Sequence, residues 1–230
     1  MKIRILTIAV LLFITALKVQ SQDCVMYFPT KKGTVLETKY YDAKDKPTST
    51  STQTILESNK TTSGIKLEVR IESKPEKSDS VYKIDYSVEC ENGNFYIEMK
   101  NFLDPSLLAA YQGMNITVTA DRLDMPSQPT VGKILGDGKT TAVISNQGMK
   151  LMTIEMTISN RTIAAIENVT TPAGTYSCYK VTYDINSKFG FMKTEMKGIE
   201  WYSKDIGIVK SESYNKKGKL EGYSILQSIK

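Results

Sequence analysis

The chain has 230 residues, a formal net charge of +5, three cysteines and no histidine. The absence of histidine excludes the Ser-His-Asp triad and the Cys-His pair, and it leaves no plausible zinc site. The charge excess lies mostly in the first 22 residues, which contain Lys2, Arg4 and Lys18 and no acid. The remainder has 27 basic and 25 acidic residues that alternate along the chain, so nucleic acid is not an expected partner.

Residues 1–22 have the pattern of a removable export signal. Lys2 and Arg4 precede an apolar run from Ile5 to Leu17, and small residues around Ser21 offer a cleavage site. The apolar run is shorter than the roughly 20 residues of a spanning helix. We therefore expect a signal peptide over residues 1–22 and a mature chain over residues 23–230, with no transmembrane segment.

Asp23 stands where a lipoprotein signal needs a small residue before the cysteine, so lipidation of Cys24 is not expected. An exported chain permits disulfides. One bond with one buried free thiol, or three free thiols, are both consistent with Cys24, Cys90 and Cys178. The pairing is therefore left open, and the signal predicts an exported protein.

The mature chain reads as short strands. Apolar and charged residues alternate with a period of two over residues 65–72 and again over residues 82–89, with a polar turn over residues 74–79 between them. Similar runs cover residues 94–100, 114–121, 150–159, 162–169, 176–185 and 191–202. This spacing predicts a single all-β domain, a strongly curved antiparallel sheet or barrel of about ten strands.

One segment departs from the strand pattern and predicts a short helix across the barrel. Asp104 is placed as a cap and Pro105 at the first helical position, and the helix should end near Gly113. Its apolar residues are Phe102, Leu103, Leu107, Leu108 and Tyr111. They fit either a plug that closes one end of the barrel or a lid over an apolar cavity.

The two ends of the mature chain resemble each other. Residues 40–47 (YYDAKDKP) correspond to residues 214–220 (YNKKGKL), each as a lysine-rich turn between two strands. Two such hairpins would allow the sheet to close or wrap upon itself, although chance similarity between turns is an alternative.

Paired carboxylates are the remaining enzymatic option, because a glycosidase needs two acids at a defined separation. Asp121 with Asp124, and Glu195 with Glu200, are close in sequence. Neither pair has an aromatic platform, and Glu200 beside Trp201 is expected to be a solvated strand end. A non-catalytic protein without a cofactor or a metal is therefore predicted.

Several stretches together resemble the TapB-like family of exported bacterial proteins, common in gut Bacteroidetes, whose domain has no known function. They are residues 23–29, 126–132 (PSQPTVG), 171–180 (TPAGTYSCYK) and 201–214, which begins WYSKDIGIV. The resemblance covers nearly the whole mature chain. It implies an exported antiparallel β domain in the periplasm or cell envelope of a Gram-negative bacterium, and it carries over no catalytic residues.

We interpret the chain as a binding module that holds a lipid or other apolar ligand in or on a curved sheet. An envelope protein-interaction or assembly module, with a filled barrel and an envelope protein as its partner, is the alternative. The expected ligand contacts combine the helix with a methionine-rich strand: Phe102, Leu103, Leu107, Leu108, Tyr111, Met152, Ile154 and Met156.

Overall fold

The computed structural model describes residues 24–103, 111 and 113–230. These residues form one antiparallel sheet of 13 strands in the order β6-β8-β9-β10-β11-β12-β13-β1-β2-β3-β4-β5-β7, which curls into a nearly closed barrel. The strands are β1 Val35–Asp42, β2 Pro47–Lys60, β3 Gly64–Pro75, β4 Tyr82–Glu91, β5 Asn94–Glu98, β6 Asn115–Ala120, β7 Arg122–Pro126, β8 Gly138–Asn146, β9 Met149–Thr171, β10 Gly174–Phe189, β11 Met192–Ser203, β12 Gly207–Asn215 and β13 Leu220–Ile229. The predicted all-β class and antiparallel barrel are confirmed.

The strand count of about ten was too low. The prediction missed β7 and β8, although Thr140, Ala142 and Ile144 of β8 are buried at alternate positions. It also divided β9 into two runs at residues 160–161. The 23-residue strand instead continues through this point, where Asn160 adopts a positive φ of 54° and the pairing with β10 is irregular.

Strands β3 and β4 follow the predicted alternation. Leu67 and Val69 are buried. On the other face of β3, Arg70 and Glu72 lie opposite Asp85 and Lys83 of β4, whereas Glu68 accepts a hydrogen bond from the hydroxyl of Ser87. Arg70 lies directly opposite Asp85 and makes a two-pronged ion pair at 2.7 Å. The pKa of Asp85 is lowered because this guanidinium donates hydrogen bonds to it.

The two terminal hairpins, which resemble each other in sequence, have turns with the same hydrogen bonds. In the β1–β2 turn, Oδ1 of Asp42 accepts hydrogen bonds from the amides of Lys44 and Lys46. In the β12–β13 turn, Oδ1 of Asn215 accepts them from the amides at the corresponding positions 217 and 219. A register irregularity also precedes each turn by the same distance. Because β13 pairs with β1, the two hairpins lie side by side and join the ends of the chain.

The helical structure described between β5 and β6 is a single turn of 3-10 helix, Met99–Phe102. The predicted helix begins after it, and its residues Leu107 and Leu108 lie outside the described part of the chain.

The N-terminal segment, residues 24–29, fills one end of the barrel. Met26, Tyr27 and Phe28 are buried in the main core. A disulfide between Cys24 and Cys90 of β4 holds this segment in place, whereas Cys178 of β10 is a buried free thiol. Burial raises the pKa of the Cys178 thiol to about 11, so it stays protonated and unreactive near neutral pH.

Candidate functional site

The barrel contains a partly open cavity of about 260 Å³. Its wall is largely aliphatic and aromatic, with a smaller set of polar side chains. The lining residues come from β1–β5, from β11–β13, from the N-terminal segment, from the 3-10 helix and from the β11–β12 turn: Tyr27, Phe28, Leu36, Thr38, Tyr40, Gln53, Ile71, Tyr86, Phe95, Ile97, Asn101, Phe102, Glu200, Tyr202, Ile206, Ile208, Ser211, Ser224 and Leu226. An apolar cavity with a few convergent polar groups is the usual form of a small-molecule site.

Tyr27 forms part of one wall of the cavity and is fixed by its neighbours. Its ring makes edge-to-face contacts with Phe95, Tyr179 and Tyr202 at centroid distances of 5.9–6.3 Å. Its hydroxyl donates a hydrogen bond of 3.2 Å to the carbonyl of Pro126. Because the Cys24–Cys90 disulfide anchors the same segment, this wall of the cavity is held in place covalently.

The carboxyl group of Glu200 forms part of the cavity wall. The Glu200 side chain accepts hydrogen bonds from Tyr202, at 2.5 Å, and from Tyr183. Burial raises the pKa of Glu200 above its ordinary value, and it also raises the pKa values of both tyrosines. Gly198 of β11 lies opposite Tyr183 of β10. The glycine makes room for the tyrosine ring, because a Cβ at position 198 would overlap it.

An ion pair between buried Arg161 and half-buried Asp124 lies near this carboxyl group. Arg161 is buried, and its Nη1 donates to Asp124 Oδ1 at 3.1 Å and to the carbonyl of Gly136 at 2.8 Å. Its Nη2 donates to the carbonyl of Asp124 at 2.8 Å. The positive charge of Arg161 acts on Glu200 against the effect of burial, but burial is the larger influence.

Further polar groups of the wall are distributed around the cavity. The hydroxyls of Ser211 and Ser224 share a hydrogen bond of 2.6 Å. Both atoms of the Asn101 amide are buried and have no hydrogen-bond partner within the described residues. Such a group costs about 1–3 kcal/mol when it is left unpaired. Tyr40 is 37% exposed, and it lines the same cavity.

The residues predicted to contact a ligand are divided among three places. Phe102 lines the cavity and also packs with Met156 against a small cluster around Met99 and Leu123. A second cluster brings together four others: Leu103, Tyr111, Met152 and Ile154. Leu107 and Leu108 lie outside the described residues.

The prediction for Glu200 as a solvated strand end was wrong. Glu200 is 8% exposed and faces the cavity. The neighbouring Trp201 lies between Lys180 and Lys210, whose ammonium groups are 5.1 and 4.7 Å from the ring centroid. A sequence pattern assigns a charged side chain to the solvent face, so it does not reveal that Glu200 is on the inner face of β11.

Of the other carboxylates considered for catalysis, Glu195 is exposed, and two have structural partners. Asp124 pairs with Arg161, and Asp121 accepts the amide of Lys139 at 2.8 Å. Within residues 24–103, 111 and 113–230, there is no cluster of three or more potential metal ligands. The same part of the chain has no helix long and apolar enough to cross a membrane.

The fold defines a class: the described residues form a nearly closed antiparallel β-barrel with a largely apolar cavity. The profile of the DUF3108-like family matches residues 31–226, and the chain belongs to this family. A search of curated proteins gives no match.

Two solved structures are similar over nearly the whole chain. One is a protein from Bacteroides fragilis, described as exported and as having a YmcC-like fold. It shares 26% identity, with a TM-score of 0.77 over 90% of this chain and 100% of that one. The other is a protein from Parabacteroides distasonis, described as a lipoprotein. It shares 28% identity, with a TM-score of 0.77 over 91% of this chain and 100% of that one. One matched protein is thus described as exported and the other as a lipoprotein, and neither description states a function.

Proposed function

We propose that this protein is a non-catalytic exported binding protein that holds a small, largely apolar molecule inside the barrel. The observation that carries the proposal is the cavity, in which a buried carboxyl group and several hydroxyls interrupt an apolar wall. A buried polar group is costly without a partner, so the amide of Asn101, which has none within the described residues, favours a ligand that hydrogen-bonds with it.

The volume limits the size of the ligand. An apolar cavity of about 150 Å³ can hold benzene, and sites for drug-sized molecules range from about 300 to 1,000 Å³. A cavity of about 260 Å³ falls between these values. It suits a compact ring system or part of one acyl chain, and it is too small for a whole phospholipid.

The polar groups limit the charge of the ligand. An anion would be repelled by ionised Glu200, and a neutral Glu200, favoured by its raised pKa, can donate a hydrogen bond. The amide of Asn101 offers both a donor and an acceptor at the wall. These features support an uncharged ligand with at least one hydroxyl, carbonyl or amide group.

A hydrolase is less well supported. Among the described residues that line the cavity, Glu200 is the one carboxylate. A two-carboxylate mechanism needs a second acid at about 5–9.5 Å. The assembly-module alternative expected a filled barrel, so the cavity favours the binding module over it.

The TapB-like family, the location and the absence of lipidation are also proposals. Membership of the TapB-like family rests on residues 171–180 and 201–209. Location in the periplasm of a Gram-negative bacterium rests on the signal-like residues 1–22 and on the exported relatives. We propose that Cys24 is not lipidated, because its sulfur is bonded to Cys90 and cannot also form a thioether to lipid.

The proposal can be tested with an uncharged fluorescent probe, N-phenyl-1-naphthylamine, which brightens on entering an apolar site. The wild-type protein should bind it saturably near equal stoichiometry. The variants Thr38→Leu and Ser211→Leu add volume to the wall and should weaken binding at least tenfold, whereas Thr117→Leu on the exposed side of β6 should not. Circular dichroism checks that each variant is folded. Equal binding by all four proteins would contradict the proposal.

A further inference from the structure

Five turns of the barrel lie at the same end. In an antiparallel sheet, successive hairpin turns alternate between the two ends, and the pairings place five of them together. They cover residues 43–46, 76–81, 147–148, 190–191 and 216–219. We refer to these turns and the strand residues within three positions of them as the turn rim. The N-terminal segment fills the opposite end.

The turn rim is rich in exposed lysines that have no ion pair. They are Lys44, Lys46, Lys74, Lys77, Lys150, Lys188, Lys193, Lys216, Lys217 and Lys219. Within the described residues, none of them has a carboxylate oxygen within 4.0 Å, whereas lysines on the strand faces such as Lys66, Lys139 and Lys197 do. The near balance of charge in the mature sequence therefore conceals an uneven distribution in space.

Three of the five acids of the turn rim are engaged in hydrogen bonds. Asp42 caps the backbone of its own turn, Asp45 accepts the hydroxyl of Tyr223 at 2.8 Å, and Glu221 accepts the amide of Asn215. Glu76 and Asp79 lie on the β3–β4 turn and are exposed.

The β10–β11 hairpin concentrates the positive charge. Lys188 and Lys193 lie directly opposite each other, an arrangement that is unfavourable without an anion nearby. On the neighbouring strand, Glu155 faces Lys188, but it is already paired with Lys139 at 3.0 Å. Glu195 lies two residues beyond Lys193 and is exposed.

Large apolar side chains project from the same hairpin and the adjacent one. Phe191 is fully exposed at the β10–β11 turn, and Met192 is 67% exposed beside it. Met149 and Leu151, at the start of β9, are 69% and 53% exposed. The register of β9 with β10 brings these two hairpin ends next to each other, since Gly190 donates its amide to the carbonyl of Thr153.

We propose that the turn rim docks on an anionic lipid bilayer, with the four apolar side chains entering the interface and the lysines facing the headgroups. Exposed aromatic and aliphatic residues flanked by lysines are the composition of interfacial membrane binding. A lysine near an anionic surface strengthens binding about fivefold, and the effect falls off within the Debye length. This surface is distinct from the cavity, so its function does not depend on the proposed ligand.

The test is flotation of the mature protein with vesicles of phosphatidylcholine alone or with about 30% phosphatidylglycerol, at low and at high salt. The protein should float with the anionic vesicles at about 0.05 M salt and much less at about 0.5 M. Two double variants test the turn rim, Phe191→Ser/Met192→Ser and Lys188→Gln/Lys193→Gln. Each should reduce the partition coefficient of the protein onto anionic vesicles at least tenfold. Two control variants change exposed residues away from the rim. Ile134→Ser replaces an apolar residue, Lys31→Gln/Lys204→Gln replaces two lysines, and both variants should bind as the wild type does.

Two outcomes would overturn the proposal. One is the absence of flotation with anionic vesicles at low salt. The other is equal flotation of the rim variants and the control variants. All variants change exposed side chains, and thermal unfolding verifies that they are folded.

Discussion

The Cys24–Cys90 disulfide should account for a large part of the stability of the barrel. It links residues 66 positions apart and ties the N-terminal segment, which forms part of the cavity wall, to β4. The chain-entropy relation gives about 4 kcal/mol at 25 °C for a loop of this length, because the bond restricts the unfolded chain. This value is comparable with a large fraction of the net stability of an ordinary domain, about 5–15 kcal/mol.

The measurement is urea unfolding of the wild-type protein, of Cys24→Ala/Cys90→Ala and of Cys178→Ala. The double variant should lose about 4 kcal/mol in the free energy of unfolding. A reducing agent should lower the stability of the wild type and of Cys178→Ala, but not that of the double variant. A loss below about 1 kcal/mol in the double variant, or insensitivity of the wild type to reduction, would refute the reasoning.

Three further predictions concern the site and the turns. Because burial raises the folded-state pKa of Glu200, the folded protein keeps a proton that the unfolded chain loses, so its stability should fall as pH rises above about 4.5. Glu200→Gln removes this dependence, so its stability relative to the wild type should increase in urea unfolding as the pH rises above about 4.5; a constant difference would contradict the assignment. Gly198→Ala should displace the ring of Tyr183 and lower the free energy of unfolding by about 1–3 kcal/mol, whereas an unchanged melting temperature would show that the ring has room to move. Asn215→Ala removes the acceptor for two turn amides and should cost about 1 kcal/mol, with a similar loss for Asp42→Ala at the equivalent turn; no loss in either variant would count against their shared role.

The features that the sequence predicts well are local ones. The period of two in β3 and β4 places Leu67 and Val69 inside and Arg70 outside, and the structure agrees because hydrophobic burial determines the register of an exposed hairpin. The similarity of residues 40–47 and 214–220 is also visible in the sequence, because a short side chain, Asp42 or Asn215, accepts hydrogen bonds from two backbone amides in each turn.

The cavity and its carboxyl group could not be predicted from the sequence pattern. Glu200 and Trp201 are adjacent in sequence, yet Glu200 faces the cavity while Trp201 lies between two lysines. Alternation along β11 places Glu200 and Tyr202 on one face and Trp201 on the other. A sequence pattern assigns a charged side chain such as Glu200 to the solvent face, so it does not reveal that this face is the inner one. The volume of the cavity depends on the curvature of the whole sheet.

The turn rim depends on topology for the same reason. Along the sequence its lysines are separated by strands with balanced charge, and the sequence predicts no basic surface. The antiparallel order gathers alternate turns at one end, so charges far apart in sequence, such as Lys77 and Lys217, share one end of the barrel.

The most direct test of the central claim is native mass spectrometry of the mature protein purified from a bacterial envelope, followed by organic extraction and analysis of the released material. The account predicts a complex at near-equal stoichiometry with one small uncharged molecule, which is lost from Thr38→Leu and Ser211→Leu. A mass that equals the polypeptide alone, in a protein whose disulfide is intact and whose fold is native, would contradict it.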